Sequence, residues 1–175
     1  DFDAGAVTSI AIAAPNQPDL TLQRDADSSA WQLVRRATGA PQTQPADAAI
    51  VQRLLQQLAT LSAQRFLSDA PSAADLENWG FNRPEREVTL NLAPAAAAAG
   101  QSPTSLKLQI GTSTDRDGRA YARLANAPFV YLVDPEILRE TNPSPLHYRD
   151  RLLRQLPAGA RLTALALTSL PDKKV

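Results

Sequence analysis

Cysteine is absent from the 175-residue chain, and histidine occurs once, as His147. Without cysteine the chain has no disulfides, thiolate nucleophiles or zinc–thiolate sites, and one histidine gives little support to a histidine-rich metal cage or a Ser-His-Asp triad. Glycine-rich phosphate loops and Gly-x-Ser-x-Gly nucleophile motifs are also missing. No apolar run approaches the roughly 20 residues that a membrane helix requires. The sequence therefore favours a non-enzymatic protein without a catalytic group, cofactor or metal.

Charge of neither sign is in excess, because 18 Lys and Arg balance 18 Asp and Glu. Proteins that bind nucleic acid usually carry a basic excess or a basic stripe, so nucleic acid is not an expected partner. The composition, 43% hydrophobic and 21% charged, is typical of a folded domain that needs no disulfides. The chain begins with Asp1 rather than methionine, and we expect it to be a segment of a longer or processed protein.

The first part of the chain predicts a β-meander followed by a helix. Three strands are indicated by the alternation in VTSIAI, LTLQR and WQLVRR. The segment 37–45 contains two prolines and a glycine and is predicted to be irregular. Asp47 is the expected N-cap of an amphipathic helix. A return strand, AQRFLS, follows it. The predicted apolar face of the helix consists of Ile50, Val51, Leu54, Leu55, Leu58 and Leu61.

A second short helix is predicted where Ser72 and Asp75 form a capping box. Gly80 is expected to end this helix in a left-handed C-cap, and Pro84 prevents helical continuation. The aromatic rings beside Gly80 raise the question of whether they recognise a ligand or help the chain to fold. We interpret the motif as a structural hinge with apolar anchors, comprising Trp79, Gly80, Phe81 and Pro84.

A second meander follows, with strands at REVTLNL, SLKLQIG, AYARLA and FVYLV. The alanine-rich segment 93–104 is predicted to be a surface loop, and Asp117-Gly118 a hairpin turn. Two further helices are expected to begin at Asp134-Pro135 and at Ser144-Pro145. The last of these is predicted to continue through YRDRLLRQL, and LTALALT to form the final strand.

The beginning of the chain is echoed near its end, where DFDAGAVTSIAI has a counterpart in QLPAGARLTALAL. Duplication would explain this match, and chance similarity between alanine-rich segments is the alternative. The predicted fold class is α+β, in which antiparallel meander strands and packed helices form two similar β-meander-plus-helix halves. These halves are residues 1–70 and 71–160 of a single domain, 1–175, with 161–175 as a closing strand and tail.

The segment DLENWGFNRPEREVTL resembles the bacterial domain of unknown function 4340, DUF4340. The resemblance extends over nearly the whole chain through the order of LTLQR, WQLV, ADAAIVQRLLQQL, LQIG, YARL and YRDRLL. Trp79 and Phe81 stand where tyrosine and leucine are more usual in the family, and the alanine-rich loop is a further departure. The resemblance implies a membrane-anchored, extracytoplasmic component associated with ABC-type transport systems related to gliding-motility auxiliary proteins. It implies no catalytic residues.

Two segments invite a functional interpretation. Asp115 and Asp117 in STDRDGRAY are similar to a calcium loop, but an EF-hand register would place Leu124 at the position of the bidentate glutamate, so a hairpin is favoured. His147 could belong to a proton-transfer cluster, or simply to a solvated helix face. An arginine-rich surface there could instead contact an acidic partner or anionic lipid. The candidate partner-binding residues are Tyr148, Arg149 and Arg151.

We therefore expect a non-enzymatic binding or scaffold module at the periplasmic face of the bacterial cytoplasmic membrane. Its expected partner is a protein, namely a transporter or envelope component, and membrane attachment would come only from an anchor outside this chain. The alternative is an envelope hydrolase or carbohydrate-binding enzyme with Asp and Glu residues in a groove between the halves. That alternative requires two carboxylates within about 10 Å of each other.

Overall fold

The computed structural model describes residues 2–35, 41–93, 105–113 and 118–151, together with residues 159, 161 and 163. The fold is α+β, with a large antiparallel sheet and few helices. The strands are Val7–Ala13 (β1), Leu20–Arg24 (β2), Trp31–Arg35 (β3), Gln42–Pro45 (β4), Arg65–Ser68 (β5), Arg86–Leu92 (β6), Ser105–Thr112 (β7), Ala120–Leu124 (β8) and Val130–Val133 (β9). The helices are Ala48–Ala59 (α1), Ala73–Asn78 (α2), Ile137–Glu140 (α3) and Pro145–Tyr148 (α4), and a 3₁₀ turn, Ala4–Ala6, precedes β1.

The strand order is β4-β3-β2-β1-β6-β7-β8-β9-β5, and every neighbouring pair is antiparallel. Two consecutive meanders, β1–β4 and β6–β9, therefore join along β1 and β6. The predicted strands within the described residues are confirmed. The prediction of an irregular segment at 37–45 is wrong for its second part, because Gln42–Pro45 is a strand paired with β3. An edge strand has a neighbour on one side only, so it tolerates a proline and needs no apolar alternation.

One face of the sheet carries the main core. The register places Ile10 opposite both Leu22 and Leu90, and Leu90 opposite Leu106, so these side chains share a face. Helix α1 packs against part of this face, which we call the helix face. As predicted, the Asp47 carboxylate caps α1 by accepting the backbone N–H groups of Ala49 and Ile50, at 2.9 and 3.3 Å. The helix buries Val51, Leu54, Leu55 and Leu58, whereas Ile50 is half-buried and Leu61 lies beyond its end.

A second, smaller core lies on the opposite face, under α2. Its buried members are Phe81, Tyr121 and Val130, and the half-buried Trp79 packs against them. The capping box of Ser72 and Asp75 is confirmed, with both reciprocal hydrogen bonds present. These bonds begin α2 at the predicted position and lay its apolar side on the sheet.

The turn after α2 is a Schellman motif. Gly80 has a φ of 76°, its N–H donates to the Glu77 carbonyl at 2.9 Å, and the Phe81 N–H donates to the Leu76 carbonyl at 2.8 Å. These two bonds satisfy carbonyls that the helix end would otherwise leave unpaired. Gly80 therefore ends α2, as predicted.

The helices near the end of the described region are shorter than predicted. Helix α3 begins at Ile137, and the Asp134 carboxylate accepts the Glu136 N–H at 2.9 Å in the preceding turn. Helix α4 begins with Pro145, as predicted, but Ser144 makes no side-chain cap. It ends at Tyr148 because Arg149 is extended and forms an antiparallel bridge with Ala46. The predicted helical continuation is thus wrong from Arg149 onward within the described residues.

Several predictions concern residues outside the described part of the chain. These are the alanine-rich loop from residue 94 onward, the acidic residues Asp115 and Asp117, the segment 152–156, the closing strand LTALALT apart from Thr163, and most of the second copy of the sequence echo.

Candidate functional site

The aromatic residues around Gly80 pack against the sheet. The ring centroids of Trp79 and Tyr121 are 6.0 Å apart, and Trp79 is half-buried. Phe81 is 5% exposed, and the Arg123 guanidinium lies 4.9 Å from the centre of its ring. Pro84 is half-buried in the turn before β6. These contacts place the motif in packing between α2 and the sheet.

Close backbone approach explains why this turn contains glycine. A Cβ built on Gly80 would lie 2.5 Å from the Thr112 carbonyl oxygen and 2.9 Å from the Thr112 nitrogen. A Cβ built on Gly111 would overlap the Trp79 carbonyl oxygen. The two glycines thus allow the α2 turn to lie directly on the end of β7.

Tyr148 lies in the main core and contributes no surface to a partner. It is fully buried, its hydroxyl donates to the Glu140 carbonyl at 3.2 Å, and its own carbonyl accepts the Asp47 N–H at 2.8 Å. Burial, followed by the nearby charge of Glu140, raises the pKa of its hydroxyl well above the ordinary value. Its assignment to a surface cluster is wrong because the chain turns inward at this residue. Arg149 and Arg151 are exposed on the extended segment that follows.

An exposed apolar cluster, which we call the aromatic patch, lies where β5, β8 and β9 meet. The Phe66 ring is 5.6 Å from the Tyr131 ring and 6.5 Å from the Phe129 ring, centre to centre. Phe66 is 52% exposed, Phe129 43% and Leu124 40%, and Tyr131 is half-buried. Single exposed apolar residues are ordinary on protein surfaces, whereas a contiguous group of them is a candidate interaction site.

Next to the aromatic patch, between the end of α1 and the sheet, lies an apolar cavity of about 180 Å³. An adjoining groove of about 350 Å³ shares Leu61, Leu108 and Leu124 with it and extends to Tyr131. The cavity is lined by Phe2, Leu58, Ala59, Leu61, Val88, Leu90, Leu106, Leu108 and Leu124.

The sequence interpretation identified neither the aromatic patch nor the cavity. The available signal was the presence of the bulky apolar residues Phe66 and Phe129 in the predicted strands AQRFLS and FVYLV. Their proximity depends on the pairing of β5 with β9, which local patterns do not encode.

Three acidic residues line a pocket between α1 and α3. Asp134, Glu136 and Glu140 line a pocket of about 160 Å³ together with Gln57. Asp134 accepts a backbone N–H, and Glu136 is ion-paired with Arg139. Within the described ranges, no group of three His, Cys, Asp or Glu side chains could hold a metal ion.

A polar ladder crosses β6, β7 and β8 on the face opposite α1. The Glu87 carboxylate accepts hydrogen bonds from the Gln109 amide at 2.6 Å and the Lys107 ammonium at 2.9 Å. The Arg123 guanidinium donates to the Gln109 amide oxygen at 2.8 Å. The hydrogen bond from Gln109, followed by that from Lys107, holds the pKa of Glu87 below its ordinary value.

Glu87 is therefore expected to lose its stabilising contribution in acid. Its pKa is lower in the folded than in the unfolded chain, so the contribution is complete above the unfolded-state pKa and is lost as pH falls through the folded-state pKa. Because the side chain is partly exposed, Glu87→Gln is expected to cost at most about 0.5 kcal/mol at neutral pH. Urea unfolding at neutral and acidic pH measures this difference, with Glu77→Gln as the control. A difference between Glu87→Gln and wild type that stayed constant with pH would contradict the assignment.

The comparisons with known proteins give one match. The family model for the domain of unknown function DUF4340 matches residues 31–174, which is most of the chain. Among curated proteins and solved structures, none matches significantly. None of the described helices is long and apolar enough to cross a membrane. The matched region begins at Trp31, the first residue of β3, so it leaves out β1 and β2 of the first meander and includes all of the second. Because the match covers most of the chain, the chain belongs to the DUF4340 family.

Proposed function

We propose that the chain is a non-enzymatic binding module that holds a protein partner through the aromatic patch. The observation that carries this proposal is the contact of the Phe66 ring with Phe129 and Tyr131 while Phe66 and Phe129 remain more than 40% exposed. Aromatic residues are enriched where proteins bind one another, because they bury a large apolar area with few rotatable bonds. Leu124 extends the apolar surface into the groove beside it.

The proposed setting is the extracytoplasmic side of the bacterial cytoplasmic membrane, within a longer anchored protein. The partner would be a transporter or another envelope component, consistent with the family resemblance. The module would then act as a scaffold: the rigid sheet presents the patch, and the chemistry of the system resides in other proteins.

The proposed architecture is two similar halves, residues 1–70 and 71–160, within one domain. The mirrored strand order supports it, since the first strands of the two meanders pair and the later strands continue outward on each side. In addition, the segment that follows the helix of each meander contacts the edge of the other meander. After α1, β5 pairs with the edge of the second meander, and after α4, Arg149 bridges Ala46 beside the edge of the first.

A charge introduced into the aromatic patch is expected to reduce the recovery of the protein partner strongly. Phe129→Asp should lower recovery of a crosslinked transporter or envelope partner from solubilised membranes at least about tenfold, because removing a central hot-spot side chain costs about 2 kcal/mol or more and each 1.4 kcal/mol is about tenfold in affinity. Quantitative mass spectrometry of the crosslinked full-length protein measures this recovery.

The matched control is Leu146→Asp, since Leu146 is 70% exposed on α4 and lies outside the patch. Wild-type protein and Leu146→Asp should recover the same partner equally. If folded Phe129→Asp recovers the partner as well as wild type does, the aromatic patch is not the binding surface. If wild type recovers no transporter or envelope partner, the scaffold function is wrong.

A second function, an envelope hydrolase or carbohydrate-binding enzyme, is favoured by one observation: Asp134, Glu136 and Glu140 line a common pocket between α1 and α3. Glu140 would then be the acid or base, because Asp134 and Glu136 already have partners. Hydrolysis of peptidoglycan or chromogenic glycosides by wild type, lost in Glu140→Gln, would establish this function in place of the scaffold.

A further inference from the structure

The apolar cavity and its adjoining groove form a single elongated site beside α1. We infer that this site binds a linear alkyl chain, such as the acyl chain of a fatty acid or lipid. The inference goes beyond the proposed protein partner and is argued from the lining of the cavity and groove, which share Leu124 and Tyr131 with the aromatic patch but include neither Phe66 nor Phe129.

The cavity has a closed floor and an open mouth. Val88 and Leu90 of β6 and Leu58 of α1 are at most 8% exposed and form the buried side, whereas Leu124 is 40% exposed at the opening. Protein interiors are normally close-packed, so an apolar cavity of this size among the described residues beside the core is unusual. An apolar cavity of about 150 Å³ is enough to take up benzene, and this cavity is slightly larger.

The shape selects a slender ligand. The cavity shares Leu61, Leu108 and Leu124 with the groove, which continues past Ala63 and Ala122. A ligand that fills both must pass from one to the other along these leucines. A flexible alkyl chain can follow such a path, whereas a rigid ring system would fill the cavity alone.

The polarity selects an uncharged ligand segment. All nine residues that line the cavity are apolar. Arg123 borders the groove, but its guanidinium lies on the other side of the sheet, over Phe81 and bonded to Gln109. Apart from Arg123, the side-chain polar group among the residues that line the groove is the Tyr131 hydroxyl. A peptide would bury backbone N–H and C=O groups without side-chain partners, at a cost in free energy, and an alkyl chain has no such groups.

Filling the cavity is expected to block the site without unfolding the protein. Ala59 lines the cavity from the last turn of α1, so Ala59→Phe places a ring inside it. Parinaric acid fluorescence titration of the 175-residue chain should show saturable binding by wild type. Ala59→Phe should weaken binding at least about tenfold while the melting temperature stays the same or rises, because cavity filling adds apolar burial. Ala49→Phe, at an exposed position of the same helix, should bind as wild type does.

Competition identifies the part of the ligand that is recognised. Dodecanoic acid and dodecanol should displace parinaric acid with similar efficiency, because the chain and not the headgroup occupies the site. Competition by the acid alone, or unchanged binding by a stably folded Ala59→Phe, would overturn the inference. So would a lack of saturable binding by wild type. If Ala59→Phe does not fold, Leu124→Asp at the mouth of the cavity provides the test. Its charge should weaken parinaric acid binding at least about tenfold. Unchanged binding by Leu124→Asp would overturn the inference.

Discussion

Replacing Gly111 by alanine is expected to lower the free energy of unfolding by about 3 kcal/mol, the upper end of the usual range for overpacking. A Cβ at this position would overlap the Trp79 carbonyl oxygen and lie 3.1 Å from the Gly80 carbonyl carbon. Both obstacles are backbone atoms of the Schellman turn that ends α2, so a change of side-chain rotamer cannot relieve the overlap. Either the α2 turn or the end of β7 must move, and the core under Trp79 would loosen.

Alanine substitutions at two other glycines distinguish the cost of steric overlap from the cost of the left-handed backbone conformation. Gly118 has a φ of 75° and nothing within 4 Å of an added Cβ, so Gly118→Ala should cost about 1 kcal/mol through conformation alone. Gly80→Ala combines a φ of 76° with overlap onto Thr112 and should cost more than Gly118→Ala. Urea unfolding of the three variants measures the order. A cost for Gly111→Ala no greater than that for Gly118→Ala would show that the turn does not lie on β7 in solution.

Tyr148→Ala is expected to have a comparable or larger effect, about 3 to 5 kcal/mol, as for other large aromatic residues removed from cores. Tyr148 is fully buried and its hydroxyl reaches the Glu140 carbonyl, so truncation leaves both a cavity and an unpaired acceptor. Tyr148→Phe keeps the ring and should cost only about 1 kcal/mol. Equilibrium unfolding in urea distinguishes the two variants.

Leu146 supplies the matched control for Tyr148 on the same helix. It is 70% exposed, so Leu146→Ala should change stability by less than about 0.5 kcal/mol. Similar costs for Leu146→Ala and Tyr148→Ala would mean that α4 is not docked against α1 in solution. A large difference would show that burial of the Tyr148 side chain contributes to the stability of the fold.

Much of the local structure could be predicted from sequence. Asp47 caps α1 and Gly80 ends α2 because each acts through hydrogen bonds within a few residues along the chain. The alternation of Leu20 and Leu22 correctly indicated a strand with one buried face. Strand β4 was missed because an edge strand with the sequence QTQP has neither apolar alternation nor strong β propensity.

The candidate sites were less predictable for a different reason. Phe66 and Tyr131 are far apart in sequence, and only the pairing of β5 with β9 brings their rings to 5.6 Å. Tyr148 was assigned to the surface because the pattern around it was interpreted as a longer helix. The extended Arg149 instead forms a bridge with Ala46, and this tertiary contact ends the helix and turns the tyrosine into the core.

The sequence by itself determined the family, the α+β class, most of the strand positions and the start of α1 and α2, because caps, turn glycines and apolar periodicity act over a few residues. The tertiary structure decided which strand lies at each edge of the sheet and where the α2 turn contacts β7. It also decided which part of the helix face packs against α1. These features depend on contacts between segments that are distant in sequence. Local sequence patterns do not encode the free energies of such contacts. The apolar cavity lies between the end of α1 and the sheet, and the aromatic patch lies next to it.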